Sequence, residues 1–263
     1  MNLHRGRSLV SSWEIPSHLP ALDADAIHVW QASIAALAQC EPYFDRLLDA
    51  EERARGNRYH AAADRARHIV SRGILRALAA HYLDVDARAL HFAQGPFGKP
   101  HLAASSHAAL TFNLSHSGDV VLLAFACNGE VGIDVEHWND RLDDQARARL
   151  AESAFSVQES TTLHALPLGQ RETAFYATWS RKEAYLKGTG LGVSGGLTHF
   201  TVTASDDVRL IADHRHPAHV LQWRLHDIDV GDGYSAALAA NPPHRRVEHW
   251  IAAPPLFSGA ASA

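Results

Sequence analysis

The chain has little of what would mark it as secreted, membrane-spanning or nucleic-acid-binding. Its 263 residues include two cysteines, Cys40 and Cys127, which form neither a CxxC motif nor a disulfide framework. No apolar run approaches the roughly 20 residues needed to cross a bilayer, and the opening stretch MNLHRGRSLVSSWEIP has no apolar core of signal-peptide type. No membrane association is expected, and the expected compartment is the cytoplasm. Positive charge is also short. With 24 Lys and Arg against 29 Asp and Glu, the formal charge is −5, which argues against the broad basic field of a nucleic-acid binder. What is present is globular: 46% hydrophobic and 20% charged residues, enough for one large core or two lobes of about 100 residues each. Nineteen histidines scatter over polar segments. Among them His214, His216 and His219, interrupted by Pro217, lack a regular ligand spacing and read as a solvated loop.

Periodicity orders the rest. After an extended lead-in over 1–24, a strand is expected at 26–30 and a helix at 33–37. From Tyr43 to Tyr82, the residues Leu47, Leu48, Ile69, Val70, Leu75 and Leu78 give a helical pattern, and Asp64 suits the start of the second of two helices. The turn GPFGKPH at 95–101 closes this stretch. Strands are expected at 110–114 and 120–126, with Asn128-Gly129 as a hairpin signal into an alternating strand at 131–136. The second half repeats the theme, with helices at 143–151, 156–164 and 171–187. Strands follow at 197–202, 208–212, 221–227 and 234–239, then a strand-like VEHWIAA and a mobile tail. Helix then strands, twice over, gives an α+β fold of two similar lobes, 1–128 and 129–263, the second carrying the acidic motifs described next.

Four segments carry chemistry. In GIDVE (132–136), side chains two apart on a strand share a face, so Asp134 and Glu136 project together while Ile133 and Val135 are buried. This is either an acidic outer face or half of a metal site. In FYATWSRKEAYLKGTG (175–190), Trp179, Glu183 and Lys187 form one helical stripe. Glu183 with Lys187 is a favourable surface pair of about 0.2–0.5 kcal/mol, with Trp179 in the core, or the stripe faces a ligand. Joined, the carboxylates of Asp134, Glu136 and Glu183 beside Lys187 are hard oxygen ligands and a countercharge suited to Mg²⁺ on a diphosphate. In FNLSHSGD (112–119), Ser115 and His116 beside a Ser117-Gly118 turn offer a phosphate grip. A hydrolase triad is the rival reading, although triad members converge from different elements. A basic run (Arg53, Arg55, Arg58, Arg65, Arg67, His68, Arg72, Arg76, then Lys99) reads mainly as a solvated arginine-rich helix. A few of its members are available for nucleotide phosphates.

In order, GKP, FNLSHS, GIDVE and FYATWSRKEAYLK resemble the signature of the 4′-phosphopantetheinyl transferases, in the larger two-lobed Sfp type. The resemblance runs from about Leu47 to about Val202. It implies two lobes related by a pseudo-twofold axis, with coenzyme A between them, and a monomer. It implies Mg²⁺ on Asp134, Glu136 and Glu183, catalysis by Glu183, Lys187 and Asp134, and Glu183 as metal ligand, base or both. Coenzyme A is implied to meet Arg55, Arg58, His68, Gly98, Lys99, Pro100, Ser115, His116, Asp134, Lys182, Glu183 and Lys187. In that set His116 takes the 3′-phosphate and Gly98, Lys99 and Pro100 line the adenine end. Glu52 stands where some members carry a basic residue. The implied reaction moves phosphopantetheine from coenzyme A to a serine of an apo acyl or peptidyl carrier protein, docked near Leu150, Ala154 and Phe155. Two other readings share the residues: an Mg²⁺-dependent hydrolase of a diphosphate bond, and a non-catalytic carrier-binding module.

Overall fold

The computed structural model describes residues 13–103, 109–138, 142–192, 196–243 and 245–257. The unbroken apolar run Val120–Cys127 forms a strand, β5, buried on both faces, as sequence without alternation requires. Its odd residues, Val121, Leu123 and Phe125, join a core that includes Phe44, Ile74 and Leu78. Its even residues, Val120, Leu122, Ala124 and Ala126, join another with Val131, Ile133 and Leu238. These two cores set the layers: helices, a first sheet, a second sheet, and a further helix.

The first sheet has the order β11-β1-β5-β4, from β1 (Ala26–Ser33), β4 (Leu110–Ser117), β5 and β11 (Arg246–Ile251). It packs beneath α1 (Glu41–Leu47), α2 (Ala50–Gly56) and α3 (Ala62–Leu83). The second sheet has the order β6-β10-β9, from β6 (Glu130–His137), β9 (Arg224–Asp227) and β10 (Tyr234–Asn241). Its outer face meets α6 (Leu168–Thr189) through Ala237 and Ala239 against Ala184, Tyr185 and Leu186. Small hairpins, β2 (Phe92–Gln94) with β3 (Pro100–Leu102) and β7 (Phe200–Val202) with β8 (Leu210–Asp213), flank the layers. The helices α4 (Asp144–Ala154), α5 (Val157–Ala165) and α7 (His219–Gln222) complete the elements used below.

Several expectations are corrected. No helix forms at 33–37, because β1 continues to Ser33, opposite Val120. There the Asp119 carboxylate accepts from the Ser33 hydroxyl and the Ala35 N–H, holding a turn. The 43–82 region holds three helices, not two, because Asp49 and Glu52 form a reciprocal capping box that starts α2. Asn128-Gly129 does not close a hairpin: β5 and β6 belong to different sheets, and Asn128, at φ 52°, turns the chain from one to the other. Residues 219–222 form the helical turn α7, so the expected strand at 221–227 begins only at Arg224. The expected lobe boundary at 128/129 does separate the two main sheets, except that β11 returns to pair in parallel with β1. The tail expected to be mobile reaches beyond residue 257, outside the described residues.

Candidate functional site

The second sheet is pinned to α6 by a missing side chain. A Cβ at Gly132 would stand 2.1 Å from the Ala184 carbonyl oxygen and 2.2 Å from the Gly188 nitrogen, so only glycine allows this approach. Gly132, Asp134 and Glu136 share one face of β6, and this is the face turned toward α6. The contact at Gly132 therefore delivers both carboxylates to the helical stripe of Glu183 and Lys187.

There Asp134 is buried at 2% exposure. Its Oδ1 accepts from Lys187 Nζ at 2.6 Å and from the Ser115 hydroxyl at 3.2 Å, and Lys187 also donates to Ser115 at 3.0 Å. The other oxygen, Asp134 Oδ2, is buried without a partner. Burial, and then the nearby Asp134 charge, push the Glu136 carboxyl up to about 7; Lys187 and a hydrogen bond from Trp179 act against the rise. Glu183 is likewise raised, by burial first and then by Asp134. Three carboxylates thus crowd one ammonium, and one buried oxygen lacks any donor. That is the electrostatic signature of an acidic site short of positive charge. Among the described residues no group of three or more His, Cys, Asp or Glu side chains is arranged so that it could hold a metal ion as it stands. The donors are nonetheless hard oxygens, and the orphaned Oδ2 fits a cation such as Mg²⁺.

Ser115 belongs to a device that sequence reading missed. β4 and β6 are neighbouring edge strands of the two sheets, and side chains replace backbone pairing between them. Asn113 Oδ1 accepts from the Ile133 N–H, Ser115 Oγ from Val135 and Ser117 Oγ from His137. The alternate positions of FNLSHS thus form a ladder that aligns β6. Ser115, expected on the phosphates of a ligand, instead touches Asp134, Val135 and Lys187.

Two adjoining cavities meet at the site. One of about 340 Å³ is bounded by Gly98, Lys99, Pro100, Leu114, Glu183 and Lys187. The other, about 510 Å³, is bounded by Arg55, His68, Arg72, Gly98, Pro100 and His116 among others. Gly98, Pro100 and Leu114 line both, so one groove runs from Glu183 and Lys187 to an end where Arg55, Arg72, His68 and His116 stand beside Asp49, Glu51 and Glu52. Desolvation pulls His116 below its ordinary range, and Arg67, Lys187 and His68 lower it further. The charge there is mixed, since Asp49, Glu51 and Glu52 line the same cavity and Glu52 pairs with Arg72. His68 is lowered by burial and gives its Nε2 proton to the Glu52 carbonyl, which can only accept.

Not every expected residue comes to the groove. Lys182 is fully buried: its Nζ donates to both Glu159 oxygens and to the Phe200 carbonyl. It locks α6 to α5 and β7 and lines neither cavity of the groove. Arg58 is exposed and lines neither cavity of the groove. Lys99 lines the groove, but its ammonium is tied to Glu130 and the Gly188 carbonyl. Arg76 is no solvated arginine: it is fully buried, bonded to Glu52, Asp49 and the Ala87 and Leu90 carbonyls. Glu52, the residue that departs from the expected basic position, serves as its partner. Ala154 and Phe155 lie in a core with Leu163 and Phe175, leaving only Leu150 exposed from the expected docking trio.

Comparison with known proteins bears on what this arrangement does. A model of the 4′-phosphopantetheinyl transferase superfamily matches residues 130–239. A model described as 4′-phosphopantetheinyl transferase, N-terminal, matches residues 30–128. A Synechocystis protein described as a candidate 4′-phosphopantetheinyl transferase is 39% identical over 156 residues, 59% of this chain and 62% of that protein. The 4′-phosphopantetheinyl transferase HetI of Nostoc is 35% identical, over 68% of this chain and 74% of HetI. Sfp of Bacillus subtilis is 27% identical, over 76% of this chain and 85% of Sfp.

Proposed function

The chain belongs to the 4′-phosphopantetheinyl transferase superfamily, and from that membership and the charge pattern of its groove we propose how it acts. It transfers phosphopantetheine from coenzyme A to a serine of an apo acyl or peptidyl carrier protein. The observation that carries this reading is Asp134 Oδ2, a buried oxygen without a donor amid three carboxylates and Lys187. A divalent cation would supply the positive charge that this site lacks.

The groove sorts the donor by charge. At its far end Arg55 and His116 are the donors for the 3′-phosphate of coenzyme A, while Arg72 is already paired with Glu52. Gly98 and Pro100 form the wall between, and Lys187 and Glu183 stand where the diphosphate reaches the acidic face. Asp134, Glu136 and Glu183 are the residues that would hold Mg²⁺, which would supply Lewis-acid charge to the diphosphate. The carrier serine oxygen forms a bond to the phosphorus bearing the pantetheine arm. The bond from that phosphorus to the oxygen of the 5′-phosphate breaks, and adenosine 3′,5′-bisphosphate leaves with the electron pair. Lys187 offsets the charge that grows on the leaving group. Glu183, which lines the groove beside Lys187, is the residue placed to take the serine proton. Ser115 keeps Asp134 and Lys187 in register. The protein acts as a two-lobed monomer.

Intact-mass measurement of an apo carrier incubated with the protein, coenzyme A and Mg²⁺ tests this reading. A gain of one phosphopantetheine group, lost on chelation, is the expected result. Coenzyme A consumed with the carrier unmodified would make the protein a hydrolase. Binding of coenzyme A without turnover would make it a non-catalytic module.

A further inference from the structure

The turn that carries Gly98, Lys99 and Pro100 joins β2 to β3 and is closed by its own backbone. Gly95 N–H donates to the Lys99 carbonyl and Gly98 N–H to the Gly95 carbonyl, each at 2.9 Å. Open space flanks this turn. A Cβ on Gly98 would meet nothing within 4 Å, and a third cavity, of about 590 Å³, shares Lys99, Pro100 and Gly190 with the groove. Close packing therefore does not fix the tip of this wall, and its place beside the groove must be set by something else.

Lys99 supplies the tether. Its side chain is 18% exposed, and its ammonium donates to Glu130 Oε2 at 2.5 Å and to the Gly188 carbonyl at 2.7 Å. Glu130 opens β6, opposite Asn241 on β10, and Gly188 lies in the last turn of α6. Carbonyls in a last turn have no partner within the helix, and the helix dipole favours a cation there. The lysine stem also lies on the helix end, since a Cβ on Gly190 would stand 3.3 Å from Lys99 Cδ. One side chain thus ties a turn of the first half to a strand and a helix of the second. These are the elements of the acidic site: β6 carries Asp134 and Glu136, and α6 carries Glu183 and Lys187. Glu130 itself lines neither cavity of the groove. What reaches the groove from it is its hold on Lys99.

We propose that Glu130 is a positioning residue: through Lys99 it fixes the Gly98–Pro100 wall against α6, and with it the width of the groove that takes coenzyme A. This rests on the function proposed above. Lys99 is then a strut between the halves. In the opposite arrangement Lys99 would leave Glu130 to contact coenzyme A, and Glu130 would be its competitor. The two arrangements predict opposite signs when Glu130 is removed.

Coenzyme A binding is measured by calorimetry with Mg²⁺ on the full chain, alongside melting temperature. Glu130→Ala removes a side chain that is 52% exposed, so melting temperature should change little. The dissociation constant should rise about fivefold, the loss expected when an untethered wall is correctly placed only part of the time. Glu130→Gln, which keeps a weaker hydrogen bond to Lys99, should fall between. Lys99→Met keeps the stem on Gly190 and should also weaken binding about fivefold; the double variant should match it, where independent effects would multiply to about 25-fold. KM for coenzyme A should rise with the dissociation constant. Unchanged or tighter binding in Glu130→Ala overturns the proposal, tighter binding by making Lys99 a direct contact. Multiplying effects in the double variant overturn it too, because Glu130 would not then act through Lys99. A wild-type chain that does not bind coenzyme A overturns both this proposal and the function it rests on, whereas wild-type binding with unchanged Glu130→Ala overturns this one alone.

Discussion

Replacing Gly132 with alanine is the sharpest test of how the acidic site is held. The new methyl carbon would lie 2.1 Å from the Ala184 carbonyl oxygen and 2.2 Å from the Gly188 nitrogen. Both neighbours are backbone, so no side chain can swing away. Restoring ordinary contact at about 3.4 Å requires β6 and α6 to separate by roughly 1.3 Å, against the tight packing that interiors normally keep. Overpacking of this kind costs about 1–3 kcal/mol. For a chain of this size that is about 2–4 °C in melting temperature for each kcal/mol. The larger effect is on chemistry, since Asp134 and Glu136 ride on β6 while Glu183 and Lys187 ride on α6. A misplacement of about 1 Å between groups that act together can cost on the order of a hundredfold in rate. Gly132→Ala should therefore fold, melt several degrees lower, and transfer phosphopantetheine about a hundredfold more slowly by intact-mass time course. Its coenzyme A affinity should change far less, because Arg55 and His116 lie on other elements. A variant with wild-type rate and melting temperature would refute the claim that this glycine contact positions the site.

Other outcomes follow from single features. His116→Ala removes one phosphate contact, worth about 1.5–3 kcal/mol when charge-assisted. Coenzyme A binding by calorimetry should weaken about ten- to a hundredfold, while that of 3′-dephospho-coenzyme A should hardly change. Lys182→Met strands the buried Glu159 carboxylate, at a cost of about 3–5 kcal/mol. Melting temperature should fall sharply and recover in part when Glu159→Gln is added. The Glu136 carboxyl, raised to about 7, must lose its proton to hold a cation, so Mg²⁺ affinity should fall as pH drops through 7. The folded state binds the extra proton between the ordinary carboxylate range and 7. On this group alone, metal-free stability therefore declines as pH rises through that window. Mg²⁺ should accordingly raise the melting temperature more at pH 8 than at pH 5.5.

What was legible in the sequence follows from which physics is local. The carboxylate pair Asp134 and Glu136 and the stripe of Glu183 and Lys187 depend only on strand and helix periodicity, and both emerge as expected. Long helices such as α3 and α6 announce themselves by repeated apolar spacing. What failed depends on partners distant in the chain. Nothing beside Asn128-Gly129 says that the next strand joins another sheet; that choice is made by β10, more than a hundred residues on. Lys182 looks like its neighbour Lys187, yet the helical turn points one at Glu159 and the other at Asp134. The ladder of Asn113, Ser115 and Ser117 left one trace, small polar residues at alternate positions of an edge strand, and that trace also fits a phosphate loop. The buried role of Arg76 was hidden by its place in a row of arginines. A capping signal, Asp49 with Glu52, was there to be read and would have revealed α2.

The return of β11 to the edge of β1 has a consequence for anyone who would cut this molecule in two. Its boundary at 128/129 invites expression of the halves as separate pieces. Yet β11 is chemically part of the first half's sheet, with Ala26 to Gln31 opposite Arg246 to Ile251, and Phe257 closes over Phe44. A first half made alone would present β1 as a bare, apolar edge, a template for self-association. A second half made alone would trail an unpaired strand. The two should be insoluble apart and reassemble when made together, which makes the last strand a clasp and the enzyme a natural candidate for split-protein complementation.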